Sequence, residues 1–563
     1  MTGWVLGVNI GFHDSSAALL HEGALVALIE QERLSRRKHA VGQPPAEAVA
    51  ACLAMAGITA DQLDAVAIGW DFRNIALGRN KRFSSEGLRT MLFPGMDGLA
   101  MPPVRWIPHH VAHAASAYFS VGVPEAAVLV IDGAGETQAT SIGRARDREI
   151  TIMREWPVTQ SLGFFYNAAA EWAGLGFWGT GKFMGLAAYG RPQPGMPLRV
   201  TPGGYELVHD ENAKPAKARD SAAGPLLAYY PAVAEAVKPA FARFFPFAER
   251  TGEEPIAYAD FAASAQQALE EAVLELVAEA RRQVDTPVLA LAGGVAMNCT
   301  MIGRLVRSEV FDRIYVPPVP TDAGVSLGAA LVVAAESQPF HPTVVDHAYW
   351  GQDISAGAAR DAASAAGLYC RPLDQESMAA LIAQRLANGK IVGWAHGRGE
   401  VGQRALGTRS IVADPRDRAN LERLNILKGR EMWRPVAPSI LAEHVGELIE
   451  DRVGDPSRFM LAAATVRPSV RLQVPAITHV DGSARPQTVH RDTNPAYWEL
   501  IEQFRRLTGI PCVVNTSFNL AGEPIVNSAA DAVSTFTRAK ELDLLVLGDL
   551  VVARSEADYL AED

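Results

Sequence analysis

The sequence predicts an α/β fold, or α/β joined to α+β, in two domains. Three observations carry that prediction: length, the alternation of short apolar runs with helical segments, and one break in the pattern. At 563 residues the chain exceeds what one hydrophobic core sustains. Residues 4–10 (WVLGVNI), 64–69 (DAVAIG) and 126–132 (AAVLVID) read as buried strands, with helices over 45–58 and 260–285. Between 337 and 351 the stretch SQPFHPTVVDHAYWG interrupts this regularity with Pro, His and aromatic residues, which divides the chain into 1–345 and 346–563.

Each element has its own signal. After a polar turn from Gly11 to Ser16, AALLHEGALVALIEQERL suggests a returning hairpin. The strand 126–132 ends on an acid and the turn GAGE. TPVLALAGGVAMNCTM runs as strand, Gly-Gly turn and helix start, an arrangement that aims backbone N–H groups at an anion. Beyond the boundary, 376–389 reads as a helix, 390–396 (KIVGWAH) as a strand and 397–410 (GRGEVGQRALGTRS) as a Gly/Arg-rich loop. No period of 20–50 residues is visible, which argues against a solenoid or coiled coil.

Composition narrows the function classes. With 48% hydrophobic and 20% charged residues the chain is globular and not disordered. Lys+Arg 52 against Asp+Glu 63 leaves a net charge of −11, so nucleic acid is not the expected partner. Cys52, Cys299, Cys370 and Cys512 form no CxxC pair, which excludes a zinc ribbon and suits a reducing compartment. The N-terminus lacks a cationic region before its apolar run, and no segment offers the roughly 20 apolar residues that span a bilayer. A soluble, cytoplasmic protein with no membrane partner is expected.

Three constellations could carry chemistry. In HHVAHAASAY, His109 and His113 are one helical turn apart, so their imidazoles can converge on a cation. Asp132 in VIDGAGE and Asp322 in PTDAGVSLG are natural further ligands. The plain alternative is a surface helix with three titrating histidines. The Gly-rich turns NIGFHDSSA, DGAGE, GTGKFMGLAAYG and LAGGVAMN suggest a nucleotide, but none fits the Rossmann or P-loop spacing. The last constellation is basic: Arg398, Arg404, Arg409, Lys428, Arg430, Arg434 and Arg485, followed by a turn from Asn515 to Asn519 after the strand PCVVN. Guanidinium forks there suit polyphosphate, the alternative being a solvated cationic face.

HHVAHAASAY, IDGAGE, SLGFFYNAAAE, GKFMGLAAYG, AGGVAMN, VPPVPTDAGVSLGAAL, GRGEVGQRALGTRSI, WRPVAPSIL and NTSFNLAGEPIV, taken in order, resemble the NodU-type O-carbamoyltransferases along nearly the whole chain. The resemblance implies an ASKHA-fold (actin-like, ribonuclease H-like) N-terminal domain and an α+β YrdC-like C-terminal domain. It further implies that the second domain makes carbamoyl-adenylate from carbamoyl phosphate and ATP with Mg2+. The first would then pass the carbamoyl group to a hydroxyl of a small natural-product acceptor of antibiotic type.

Residue by residue, the resemblance places the metal on His109, His113, Asp132 and Asp322 and names it Fe(II), although this donor set also suits Mn or Zn. It places adenylate against Gly293, Gly294 and Asn298, with Lys182 near. His13 matches the group that takes the acceptor proton, for which imidazole is chemically apt. Arg404, Lys428, Arg434, Arg485, Asn515 and Ser517 match the ligands of carbamoyl phosphate and the ATP phosphates, with Arg404 catalytic. Gln403 and Thr408 depart from the usual GPRALGNRS. Rival readings are a tRNA threonylcarbamoyl-adenylate enzyme, an ASKHA-fold kinase and a non-catalytic nucleotide sensor. The long stretches 71–105 and 195–255 are expected to shape acceptor choice, and homodimerisation is left open.

Overall fold

A computed structural model describes residues 3–74, 83–208, 225–244, 255–337 and 339–560. The chain forms two compact units. One comprises Met1–Gln31, His39–Val345 and Gly454–Pro456; the other comprises Glu32–Lys38, Asp346–Val453 and Ser457–Asp563.

The first unit holds two five-stranded sheets. One contains β1 (Trp4–Asn9), β2 (Ser16–His21), β3 (Ala24–Glu30), β4 (Ala65–Ile68) and β5 (Val104–Trp106) in the order β3-β2-β1-β4-β5. The other contains β6 (Glu125–Ile131), β7 (Gln138–Arg146), β8 (Glu149–Pro157), β9 (Val288–Ala292) and β10 (Arg313–Tyr315) in the order β10-β9-β6-β7-β8. In each, the first three strands are an antiparallel meander and the last two add in parallel to the first strand. The topology is therefore duplicated, although no sequence period announces it.

Helix α1 (Ala46–Ala56) covers β2 and β3, and α3 (Ala259–Gln283) is the long amphipathic helix expected from its Ala/Leu/Glu pattern. Helices α2 (His109–Val121) and α4 (Asp322–Ala335) pack against one another, α4 on β1, β2 and β4, and α2 on β6 and β9. Their close approach depends on Gly328, where a Cβ would stand 1.7 Å from the Ala112 carbonyl oxygen. Helix α2 begins after Pro108 and ends at Gly122, whose φ of 72° suits a residue without a Cβ. Ser16 Oγ donates to Ala323 O at 2.6 Å, which ties the N-terminal hairpin to the first turn of α4.

The second unit is built on one mixed eight-stranded sheet. Its strands are β11 (Tyr369–Pro372), β12 (Val392–Ala395), β13 (Arg409–Ala413), β14 (Ala437–Leu441), β15 (Gln487–Val489), β16 (Cys512–Ser517), β17 (Leu544–Leu547) and β18 (Leu550–Ala553), in the order β11-β18-β17-β12-β13-β16-β14-β15. Helices α5 (Gln375–Ala387) and α6 (Pro495–Thr508) pack together, and Trp394, Tyr497, Phe504 and Phe536 fill the core.

Two local expectations are corrected. GTGKFMG is not a phosphate-type turn: Thr180–Ala187 is helical, because its glycines interrupt an otherwise helix-compatible run without supplying a turn residue. Asn515 to Ser517 do not form a turn after the strand but continue β16, pairing with Val412, Ile411 and Ser410. The stretches read as specificity loops hold, among the described residues, two helices of eight residues or more, Ser85–Leu92 and Pro225–Phe244, and a hairpin, Leu198–Thr201 with Gly204–Leu207. Their portions 75–82, 209–224 and 245–254 lie outside the described residues. Among the described residues no helix is long and apolar enough to cross a membrane.

Candidate active site

In the first unit, His109, His113, Asp132 and Asp322 each offer a donor atom, all within 4.8 Å of one another, and all four residues are buried. Two consecutive turns of α2 supply the imidazoles, the residue after β6 supplies Asp132, and the first residue of α4 supplies Asp322. The two histidine Nε2 atoms stand 3.1 Å apart. His109 Nε2 lies 3.4 Å from Asp132 and 3.6 Å from Asp322, and His113 Nε2 lies 3.8 Å and 3.7 Å from the same carboxylates.

Neighbouring groups fix these ligands. His109 Nδ1 contacts Gly69 O at 3.0 Å, which makes Nδ1 the protonated nitrogen and turns Nε2 toward the carboxylates. The ring stacks on Trp70 at 3.6 Å, whose Nε1 donates to Asn9 Oδ1. Glu136 of the GAGE turn accepts the backbone N–H groups of His109 and Asp71, capping α2 at its positive end. Gly294 N–H donates to Asp132 Oδ1 at 2.8 Å. His110 faces elsewhere, contacting Ser141 Oγ at 2.7 Å, and burial beside His109 pushes its pKa well down. The surface-helix alternative therefore fails, since all three histidines are buried.

The donor set fits a divalent metal. Two ligands each about 2.1 Å from one ion stand about 3.0–3.4 Å apart for octahedral to tetrahedral angles, close to the separations here. Burial disfavours charge on His109, yet the hydrogen bonds and fields of Asp132 and Asp322 outweigh it and raise its pKa to about 10. Against burial, both carboxylates are held below the usual range by the imidazoles. His13 stands close enough that Asp322 and Asp132 also act on it. Burial lowers its pKa, but the hydrogen bond to Asp14 and these carboxylates raise it to about 9; a cation held by Asp132 and Asp322 would offset their field and favour the neutral ring that can accept a proton.

The other first-unit candidates have contacts of their own. Gly293, at φ 96°, tolerates no Cβ, which would meet the Ile131 carbonyl oxygen at 2.2 Å. Asn298 caps the helix Cys299–Ser308 through Met301 N–H and exchanges side-chain hydrogen bonds with Gln266. Lys182 is half-buried on the helix Thr180–Ala187.

In the second unit Lys428 Nζ reaches Ser517 O at 2.6 Å, Ser517 Oγ at 3.1 Å, Asn519 O at 2.7 Å and also Asn519 Oδ1. Burial, then Arg430 and Arg434 nearby, push its pKa well down. Arg430 is pushed down to about 9 by burial and by Arg434 and Arg485, and Arg434 is lowered by burial and Arg485 against Glu431. Arg430 Nη2, Arg485 Nε and Asn515 Oδ1 are buried without a hydrogen-bond partner among the described residues. Asn515 Nδ2 meets Ala405 O, Ser439 Oγ and Gln487 Oε1, which joins β16 to the Arg404 loop. Crowded cations with unused donors are what a polyanion would satisfy.

Family profiles described as Carbamoyltransferase N-terminus and Carbamoyltransferase C-terminus match residues 4–83, 77–331 and 383–554. The chain belongs to the carbamoyltransferase family. This carbamoyltransferase is 35% identical over 577 residues to Nodulation protein NolNO of Sinorhizobium fredii, covering 98% of this chain and 80% of that one. It is 37% identical over 463 residues to Nodulation protein NolO of Bradyrhizobium diazoefficiens, covering 80% and 79%. It is 33% identical over 290 residues to the 3'-hydroxymethylcephem-O-carbamoyltransferase of Amycolatopsis lactamdurans, covering 51% and 53%.

Within the carbamoyltransferase, Arg398 and Arg409 leave the basic constellation. Arg398 donates to the carbonyls of Trp350 and Gly351, and Arg409, 1% exposed, donates to those of Gln352, Gly397, Thr408 and Asn527. Sequence reasoning missed Glu400, which accepts from Leu406 N–H, Arg409 N–H and Thr408 Oγ1 and so shapes the loop that carries Arg404. A lone acid inside a Gly/Arg-rich run was the available signal.

Proposed function

We propose that the protein is an ATP-dependent O-carbamoyltransferase acting on a hydroxyl of a small natural-product acceptor. The observation that carries this reading is the presence in one chain of a two-His, two-Asp donor set and a buried cation set, each in its own unit. The duplicated β-sheet order supports an ASKHA-type first domain, and the mixed sheet with its cations supports a YrdC-like second domain.

In the second unit, Lys428, Arg434 and Arg485, with Arg404, Asn515 and Ser517, would hold carbamoyl phosphate and ATP with Mg2+. Hydrolysis of carbamoyl phosphate gives carbamate and phosphate. A carbamate oxygen then attacks the α-phosphorus, pyrophosphate leaves, and carbamoyl-adenylate remains. The cations offset charge that builds as pyrophosphate departs.

In the first unit, His109, His113, Asp132 and Asp322 would hold a divalent metal, Fe(II) by resemblance, which when bound would polarise the carbamoyl carbonyl. The turn Gly293, Gly294 and Asn298, with Lys182, would face the adenylate. His13 takes the proton of the acceptor hydroxyl as its oxygen attacks the carbamoyl carbon, and AMP leaves.

Exchange of labelled pyrophosphate into ATP tests the first half-reaction. Dependence on carbamoyl phosphate is expected; dependence on threonine plus bicarbonate, or formation of ADP, would overturn the reading.

A further inference from the structure

Two imidazoles share one carboxylate beside the donor set. His13 Nδ1 lies 3.1 Å from Asp14 Oδ2, and His39 Nδ1 lies 3.0 Å from Asp14 Oδ1. Asp14 is thereby held at a pKa of about 2, since these two hydrogen bonds outweigh its burial. The backbone turns sharply at the contact: Asp14 at φ 51° and His39 at φ 63° lie in the left-handed region, which Asp and His enter more readily than most non-glycine residues, and Ala40 at φ 43° lies there at a steric cost. Three hydrogen bonds clamp their two loops: Asp14 N to His39 O at 2.7 Å, Gly42 N to Phe12 O at 2.9 Å, and Ser15 Oγ to Gln43 O at 2.6 Å. Trp178, 49% exposed, stacks on His39 at 4.0 Å and meets His13 edge-on at 5.2 Å.

Nothing in a structural role for His39 requires this arrangement. A helix cap or a core contact would not place both of a carboxylate's oxygens on Nδ1 atoms of two histidines. When Nδ1 of His13 donates to a carboxylate, Nε2 is the nitrogen left to accept a proton, and the carboxylate stabilises the imidazolium that forms. One oxygen of Asp14 does this. The other, taken by His39, stops the carboxylate from rotating away.

We propose that Asp14 and His39 are positioning residues for His13, a His-Asp-His bridge that fixes which nitrogen of His13 receives the acceptor proton. The inference rests on the reading of His13 as the proton acceptor. The bridge itself can be read without any acceptor.

Full-length protein labelled with 15N-histidine, its signals assigned with His13→Gln and His39→Gln, should show both imidazoles protonated at Nδ1, and Asp14→Ala, which removes both acceptor oxygens, should abolish that signature for His13. An unprotonated Nδ1 on His39, or a His13 signature unchanged by Asp14→Ala, would overturn the bridge. With water as the acceptor probe, AMP release from ATP and carbamoyl phosphate should fall about tenfold or more in His39→Ala and largely recover in His39→Asn, whose amide can donate from a position near that of Nδ1. Pyrophosphate exchange should not change in either variant. Equal loss in Ala and Asn would also overturn the bridge. Absence of AMP release from the wild-type protein would instead sink the functional reading, with the labelled spectra still deciding the bridge.

Discussion

His109 and His113 face each other Nε2 to Nε2 across 3.1 Å, with the carboxylates of Asp132 and Asp322 between 3.4 Å and 3.8 Å from the two nitrogens. Two acceptor nitrogens so close repel unless a proton or a metal ion lies between them. A consequence follows for metal binding and its proton balance.

In the metal-free protein the His109 pKa is raised to about 10, against about 6.5 in an unfolded chain. The stability this supplies is complete below about pH 6.5 and is lost as pH rises through about 10. A metal ion must displace that proton, so affinity should rise about tenfold per pH unit between about pH 7 and 9. Calorimetry in buffers of different ionisation enthalpy should find about one proton released; affinity independent of pH would contradict this.

Gly328→Ala should force α2 away from α4, because the added Cβ would lie 1.7 Å from the Ala112 carbonyl oxygen. Overpacking of this kind costs about 1–3 kcal/mol or more. Denaturant unfolding should show that loss, and metal affinity should weaken with it, since the two helices carry three of the four donors.

Glu400→Ala should leave the buried N–H groups of Leu406 and Arg409 unsatisfied, at about 1–3 kcal/mol each. Carbamoyl-phosphate-dependent pyrophosphate exchange should fall with the loop that carries Arg404, while metal content stays at the wild-type level.

Lys428→Ala removes the group that gathers the oxygens of Ser517 and Asn519. If that cluster organises the phosphate site, exchange should fall by roughly 10²–10³. A loss below threefold with folding intact would show that Lys428 is only a strut.

Much of the site was legible because its signals are local. The spacing of His109 and His113 needs only one turn of helix, and Asp132 announces itself by ending an apolar strand. What escaped depends on contacts between distant residues. Glu136 caps a helix 27 residues before it, and His39 meets Asp14 across 25 residues. The duplicated sheets share strand order without any sequence period. Glycine misled at 179–187, where its count suggested a turn and helix formed. Thr516 and Ser517 misled in the opposite sense, since pairing with Ile411 and Ser410 carries the strand through residues that resemble a turn.

The most direct test compares two variants in both half-reactions, with pyrophosphate exchange for adenylate formation and AMP release to water for transfer. His109→Ala should keep exchange within about twofold of wild type and lose metal and transfer by about 10² or more, whereas Arg404→Ala should lose both activities and keep its metal. Equal loss of exchange in the two proteins would contradict the assignment of one half-reaction to each unit.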